Sequence, residues 1–162
     1  MTGNPRALYQ EMILDHNRKP RNYGAIEHPT HHAEGLNPLC GDHIDVALDL
    51  ARGTIDNIAF RGESCAICKA SASMMTVAVK GKNRDDAQTL IHEFVDMATG
   101  RLDPADSRHI GRLAVFGGIS ELPMRVKCAI LPWHTLQAAL NAVATTSTEA
   151  DGDPMHMSMG GA

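Results

Sequence analysis

The chain has 162 residues, of which 43% are hydrophobic and 21% are charged, so it is long enough to form one domain around a real core. Its formal net charge is −4 and its densest basic run is the short stretch from Arg18 to Arg21, which argues against nucleic-acid binding. No stretch approaches the roughly 20 apolar residues of a membrane span and the first residues lack the pattern of a secretory signal, so we expect no membrane association and a cytoplasmic location.

The first predicted elements are a short helix and a β-hairpin. Residues 6 to 17 place apolar side chains at helical spacing and stop before Pro20. Residues 43 to 50 then alternate between polar and apolar side chains, which predicts a half-buried strand. Arg52 and Gly53 predict a turn into a second extended segment, residues 55 to 60, so the two strands should form an antiparallel hairpin.

Helices are predicted for most of the remaining chain. One runs from Cys65 to about residue 79 and ends at Gly81, and a second covers residues 85 to 99. A less regular segment follows, with a turn or two around residues 110 to 116. The last helix is predicted to carry Pro132 in its first turn, which places Cys128 at or just before its start. Residues 145 to 162 are polar and lack an apolar period, so we predict one domain over 1–144 and a disordered tail over 145–162.

Cysteines are the strongest candidates for chemistry. In a reducing compartment they are more often metal ligands, nucleophiles or buried small residues than disulfides. Cys40 and Asp42 flank Gly41 in a turn before a strand, while Cys65 and Cys128 are predicted near helix starts, where the helix dipole favours a thiolate. Three sulfurs and one carboxylate oxygen suit tetrahedral zinc.

Such a donor set leaves two excess negative charges around a divalent ion, and Arg125 and Lys127 are placed beside Cys128 to balance them. The spacing alone also allows other interpretations. The cysteines could be buried as small hydrophobic residues, Cys65 and Cys68 could form a redox pair, and the two cations could be solvated surface groups. His28, His31 and His32 are predicted in a loop, and His43 should point away from Asp42 because neighbours on a strand face opposite sides.

Four segments taken together resemble the U-type scaffold family of iron-sulfur assembly, specifically its SufU-like branch within the IscU/NifU group. They are LYQEMILDHNRKPRNYG, NPLCGDHIDV, GESCAICKASASMM and RVKCAILPWHTL, and the resemblance as a whole covers about residues 7 to 143. The resemblance implies an α+β domain with a small antiparallel β-sheet packed on one face by helices. It also implies that the metal ligands are Cys40, Asp42, Cys65 and Cys128, that Cys40 accepts persulfide sulfur, and that Arg125 is a supporting cation.

One branch of this family mainly builds a [2Fe-2S] cluster, and the other binds zinc and relays sulfur. The zinc branch is favoured by Lys127, where the scaffold branch has a histidine, by the extra segment within residues 85–120, and by the altered chaperone-recognition sequence at residues 122–125. The resemblance therefore implies a zinc-dependent sulfurtransferase that works with a SufS-type cysteine desulfurase and a downstream assembly complex, without a dedicated Hsp70 partner.

Two other functions fit the same ligand set. The protein could be a scaffold on which a [2Fe-2S] cluster is assembled, or a structural zinc adaptor. An oxygen ligand such as Asp42 argues against the adaptor, because structural zinc sites usually use closed sets of cysteine and histidine. Cys68 is interpreted first as a buried small residue, with a resolving thiol or a spare ligand as alternatives.

Overall fold

The computed structural model describes residues 5–148, with side chains from residue 10 onward. The helices are α1 (Pro5–Arg18), α2 (Ala66–Val79), α3 (Arg84–Ala98) and α4 (Pro123–Leu140), with two 3-10 helices, Pro104–Asp106 and Gly111–Glu121, between α3 and α4. The strands are β1 (His31–Asn37), β2 (Asp42–Ala51), β3 (Thr54–Glu63) and β4 (Thr145–Ser147). This is the α+β fold that the sequence predicts. Within the described range, no helix is long and apolar enough to cross a membrane.

A four-stranded sheet with the order β3-β2-β1-β4 forms the base of the domain. The predicted hairpin is confirmed as β2 and β3, and it closes through Arg52 and Gly53, which have φ angles of 56° and 79°. Two positive φ angles are typical of the turn that matches the twist of a hairpin. β1 adds antiparallel to β2, whereas β4 runs parallel to β1. The small antiparallel sheet of the prediction therefore gains one parallel edge strand.

Helices cover one face of this sheet. α4 packs on β1 and β2, while α2 packs on β3 and on α4. The covered face of β2 presents Ile44, Val46 and Leu48, all of which are buried. β1 and α4 lie close together at Gly35, where a β-carbon would overlap Oγ1 of Thr135. Glycine at this position therefore lets α4 lie directly against β1.

An aromatic cluster fixes α4 to the remaining helices. The indole of Trp133 stacks on Phe94 with ring centroids 4.4 Å apart, and Phe94 meets Phe116 edge-on at 5.5 Å. Trp133 is fully buried, and its Nε1–H donates to Oγ of Ser71 at 3.0 Å. The Ser71 hydroxyl in turn donates to the carbonyl of Ala129 at 2.6 Å. Because each buried polar group in this cluster has a partner, the packing carries no unpaired-donor penalty there.

The start of the last helix differs from the prediction. α4 begins at Pro123, so Pro123 occupies the first turn and Pro132 lies inside the helix. Cys128 is therefore buried in the second turn of α4 and does not lie at a helix N-terminus. Pro132 has no N–H to donate to the Cys128 carbonyl, and the loss is tolerated because α4 is buried on the sheet and against α2 and α3.

Two further assignments differ from the prediction. Thr145–Ser147 forms β4, and the N–H of Thr148 donates to the carbonyl of Leu36 at 3.0 Å. The ordered domain thus extends through Thr148, and the rest of the predicted tail, residues 149–162, lies outside the described residues. His31 and His32, predicted in a loop, are the first residues of β1. β4 and the start of β1 are stabilised by backbone pairing with neighbouring strands. Because such pairing does not depend on side chains, it leaves no periodic apolar signal in the sequence.

Candidate metal centre

The turn before β2, the first residue of β2, the start of α2 and the second turn of α4 carry the predicted ligand residues. Cys40, Asp42 and Cys128 each offer a donor atom, and these three atoms lie within 4.8 Å of one another. The Sγ atoms of Cys40 and Cys128 are 3.7 Å apart. Cys65 is not a member of that group of three, but its Sγ lies 3.7 Å from Oδ2 of Asp42. Three of the four predicted ligands therefore form one group, and Cys65 adjoins it beside Asp42.

The Cys40 side of the site is a tight turn between β1 and β2. Gly41 adopts a φ of 74°, which a residue with a side chain rarely adopts. The N–H groups of Cys40 and Gly41 both donate to the carbonyl of Asn37, at 3.2 and 2.8 Å. This turn leaves Cys40 exposed while Asp42, at the start of β2, is 3% exposed. The site therefore has one accessible thiol above a buried carboxylate.

The start of α2 is the second side of the site. Cys65 is the N-cap of this helix, and its Sγ accepts the N–H of Cys68 at 3.4 Å. The N–H of Cys65 donates to Oδ1 of Asp42 at 2.7 Å. Both Asp42 and Cys65 thus lie at the positive end of the α2 dipole, which favours the thiolate form of Cys65. The sequence prediction of Cys65 at a helix N-terminus is confirmed.

Ionisation of the thiols is uneven. The thiol of Cys128 donates a hydrogen bond to Cys65 and, together with the backbone N–H of Cys68, lowers the pKa of Cys65 to about 6, even though burial acts in the opposite direction. The same hydrogen bond and the burial of Cys128 raise the pKa of Cys128. Burial, reinforced by the charges of Asp42 and Cys65, raises the pKa of Cys68 well above its usual value. Of Cys65 and Cys128, Cys65 therefore ionises first, and the fully buried Cys68 stays protonated.

The donor set fits zinc. Tetrahedral coordination with sulfur at about 2.3 Å and oxygen at about 2.1 Å gives sulfur–sulfur separations of about 3.8 Å and sulfur–oxygen separations of about 3.6 Å. The 3.7 Å between Cys40 and Cys128 and the 3.7 Å between Cys65 and Asp42 match these two values. Thiolates with a single carboxylate also have the softness that zinc and iron-sulfur clusters prefer.

Asn37 is a site residue that the sequence prediction missed. Its side chain is fully buried, and Nδ2 lies 3.9 Å from Sγ of Cys128. Its Oδ1 accepts the hydroxyl of Thr148 at 3.2 Å. Since its carbonyl also holds the Cys40 turn, one asparagine links three segments around the site. The only local signal is its position at the end of β1 directly before Pro38, where the residue must leave the sheet.

The outer rim of the site is cationic and apolar. Arg125 is exposed in the first turn of α4, three residues before Cys128, and within residues 5–148 its guanidinium forms no ion pair or side-chain hydrogen bond. Leu39, Leu122 and Met124 are each more than half exposed. Leu39 directly precedes Cys40 in the chain, and the other two residues precede Cys128. Exposed large apolar side chains next to a polar site in the chain are candidates for a surface that docks a partner.

Residues 8–129 match the family model of the NifU-like N terminal domain. The chain belongs to this family. It is 38% identical to the zinc-dependent sulfurtransferase SufU of Bacillus subtilis (strain 168), over 83% of this chain and 90% of that protein. It is also 33% identical to the iron-sulfur cluster assembly scaffold protein IscU of Streptococcus pyogenes serotype M1, over 89% of each chain.

A solved relative has the same fold. The crystal structure of a protein from Fervidobacterium islandicum AW-1, described as an iron-sulfur cluster assembly scaffold protein for the SUF system, superposes with a TM-score of 0.77. It is 31% identical to this chain, and the match covers 85% of this chain and 99% of that one. The resemblance seen in the four sequence segments is thus confirmed at the level of the family and the fold.

Proposed function

We propose that this protein is an iron-sulfur assembly factor that accepts sulfur from the persulfide of a cysteine desulfurase on Cys40. The proposed metal ligands are Cys40, Asp42, Cys65 and Cys128, and the proposed metal is zinc. The proposal is supported by the similarity to a zinc-dependent sulfurtransferase of Bacillus subtilis and by the fit of the donor distances to tetrahedral zinc.

The observation that carries the assignment of Cys40 is its exposure. Among the four cysteines, Cys40 is exposed, Cys65 is half-buried, and Cys68 and Cys128 are buried. A persulfide on another protein has to approach the attacking sulfur closely, so the accepting thiol must lie at the surface. Cys40 meets this requirement because the turn at Gly41 lifts it above the buried carboxylate of Asp42.

The transfer step is a thiol exchange without net oxidation or reduction. The thiolate of Cys40 attacks the terminal sulfur of the desulfurase persulfide, a new sulfur–sulfur bond forms on Cys40, and the sulfur–sulfur bond of the donor breaks. The desulfurase cysteine leaves as a thiolate and takes up a proton from solvent. Bound zinc supplies a charge that keeps the cysteines deprotonated and ordered between transfers.

The other residues of the site hold the geometry for this step. Asn37 anchors the Cys40 turn through two backbone hydrogen bonds, so the turn moves as a unit when Cys40 leaves the other donors. Asp42 and Cys65 remain tied to each other through the 2.7 Å bond from the Cys65 N–H. Cys40 can therefore be released while the buried half of the site stays in place.

The rim supplies a docking surface for the donor protein. Leu39, Leu122 and Met124 offer apolar area around the exposed thiol, and Arg125 adds a cation. We propose a SufS-type cysteine desulfurase as the partner, a downstream assembly complex as the recipient of sulfur, and the cytoplasm as the location, because thiol exchange of this kind needs a reducing compartment.

The test is a comparison of two alanine variants in a desulfurase assay that measures alanine release from cysteine. Cys40→Ala is expected to abolish stimulation of the desulfurase, while Cys68→Ala, which removes a buried thiol that stays protonated, is expected to retain most of it. An inactive Cys68→Ala variant beside an active Cys40→Ala variant would overturn the assignment and favour a Cys65–Cys68 exchange pair.

A scaffold function is the second candidate, because relatives that are 32% and 33% identical are iron-sulfur cluster assembly scaffold proteins and the same donors suit a cluster. Metal analysis and absorption spectroscopy of protein purified without oxygen separate the two. Near-stoichiometric zinc without visible absorption supports sulfur relay. A coloured protein that contains iron and sulfide supports the scaffold.

A further inference from the structure

A second group of metal-binding side chains lies on the opposite face of the sheet from the thiols. Glu34, His43 and Asp45 each offer a donor atom, and the three atoms lie within 4.8 Å of one another. Asp42 and His43 are consecutive on β2, so their side chains point to opposite faces. This group therefore shares a strand with the thiol centre but is separated from it by the thickness of the sheet.

A second histidine, His32, adjoins this group through Asp45. Nε2 of His43 lies 3.0 Å from Oε2 of Glu34, and Nε2 of His32 lies 3.8 Å from Oδ1 of Asp45. Glu34 and Asp45 are direct partners in the β1–β2 ladder. Two carboxylates in directly opposite positions repel each other and destabilise a sheet unless a cation lies between them. One imidazole and two carboxylates thus converge, with the second imidazole, that of His32, beside Asp45.

Other charged groups on this face do not neutralise the carboxylates by direct contact. Arg61 is the β3 partner of Asp45 in the ladder, yet among the described residues no ion pair of 4.0 Å or less joins these two side chains. Glu63, the β3 partner of His43 in the ladder, adds a further negative charge. The net charge of the face therefore favours a bound cation.

A cavity adjoins the group. It has a volume of about 260 Å³ and lies between the sheet and the segment of residues 24–29, with His32, Asp45 and Arg61 among its lining residues. A metal held by side chains on one side of such a cavity retains room for water or a small anion on the other. The arrangement is therefore that of an open site.

We propose that Glu34, His43 and Asp45, with His32 as a fourth ligand beside Asp45, form a second binding site for a divalent first-row transition metal ion. Imidazole and carboxylate donors suit zinc, cobalt and ferrous iron, and the two carboxylates balance a charge of +2. The thiol centre, in contrast, carries two excess negative charges with the same ion. The second site is thus chemically distinct from the thiol centre, fills independently of it, and does not depend on the proposed sulfur transfer.

The test is a cobalt titration of the full chain after one equivalent of zinc has been added, followed by calorimetry and absorption spectroscopy. We expect one equivalent of Co²⁺ to bind with weak ligand-field bands and without thiolate-to-cobalt charge-transfer absorption, because no sulfur belongs to the site. His43→Ala and Glu34→Gln, which lie on different strands, should each weaken this binding at least about tenfold.

The matched control is His109→Ala. His109 forms a similar histidine–carboxylate pair with Glu93, at 2.8 Å, but belongs to no group of three donors among the described residues. It should therefore leave cobalt binding unchanged. Circular dichroism and uptake of the first zinc equivalent verify that each variant is folded. The proposal is overturned if the zinc-loaded protein binds no cobalt below millimolar concentration, if the bound cobalt shows thiolate charge transfer, or if both ligand variants bind as tightly as the control.

Discussion

Replacement of Asn37 by alanine tests whether this buried residue supports the metal centre. Its side chain makes two hydrogen bonds, one to Sγ of Cys128 and one from the hydroxyl of Thr148. Each such bond contributes on the order of 0.5–1.5 kcal/mol, so Asn37→Ala should lower the free energy of unfolding by about 1–3 kcal/mol. The cavity left by the deleted amide acts in the same direction.

The measurement is urea unfolding of the metal-loaded protein, together with competition for zinc against a coloured chelator. Asn57→Ala is the control, because Asn57 is exposed and its Oδ1 accepts a hydrogen bond only from the N–H of the next residue, so its loss should change stability by less than about 0.5 kcal/mol. Asn37→Ala should also bind zinc more weakly, because the Cys128 sulfur loses a donor. Equal stability and equal zinc affinity of the two variants would refute a supporting role for Asn37.

Three further perturbations have defined outcomes. Burial, with a smaller effect of a nearby arginine, lowers the pKa of His16 below its ordinary 6.5. The unfolded chain therefore binds the proton more readily, and the free energy of unfolding should fall as pH drops below about 6.5. His16→Gln should flatten this pH dependence in urea unfolding at pH 5 to 7.5, and an unchanged dependence would contradict the reasoning. Gly35→Ala should lower the unfolding free energy by about 1–3 kcal/mol, because its β-carbon overlaps the threonine hydroxyl on α4, whereas Gly118→Ala meets nothing within 4 Å and should have little effect. Arg125→Ala should keep its zinc but slow sulfur acceptance relative to Arg108→Ala, another exposed arginine; full activity at every pH would show Arg125 to be a solvated surface cation.

The sequence predicts those parts of the site that depend on local chain geometry. The turn at Cys40, Gly41 and Asp42 follows from a glycine that must bend and from the alternation that begins at His43. The position of Cys65 at the start of α2 follows from the helical stripe after it. Both are confirmed, because each rests on interactions between residues close together in the chain.

The predictions that were wrong or missing concern features that depend on contacts between residues far apart in the chain. Pro123 and Pro132 both fit the first turn of a helix, and only the burial of α4 among the other elements explains why the helix continues through Pro132. β4 has three residues and exists because β1 offers an open edge. The role of Asn37 rests on partners 91 and 111 positions away, so no local pattern marks it.

The most direct test of the account is to locate the transferred sulfur. The protein is incubated without oxygen with a SufS-type desulfurase and cysteine, alkylated, digested and analysed by mass spectrometry. Cys40, Cys65 and Cys128 lie far enough apart in the chain for cleavage after lysine and arginine to place them on separate peptides, and fragmentation distinguishes Cys65 from Cys68. The account predicts one added sulfur atom on Cys40, because it is the exposed thiol of the centre. An added sulfur on Cys65 or Cys68, with Cys40 unmodified, would contradict it.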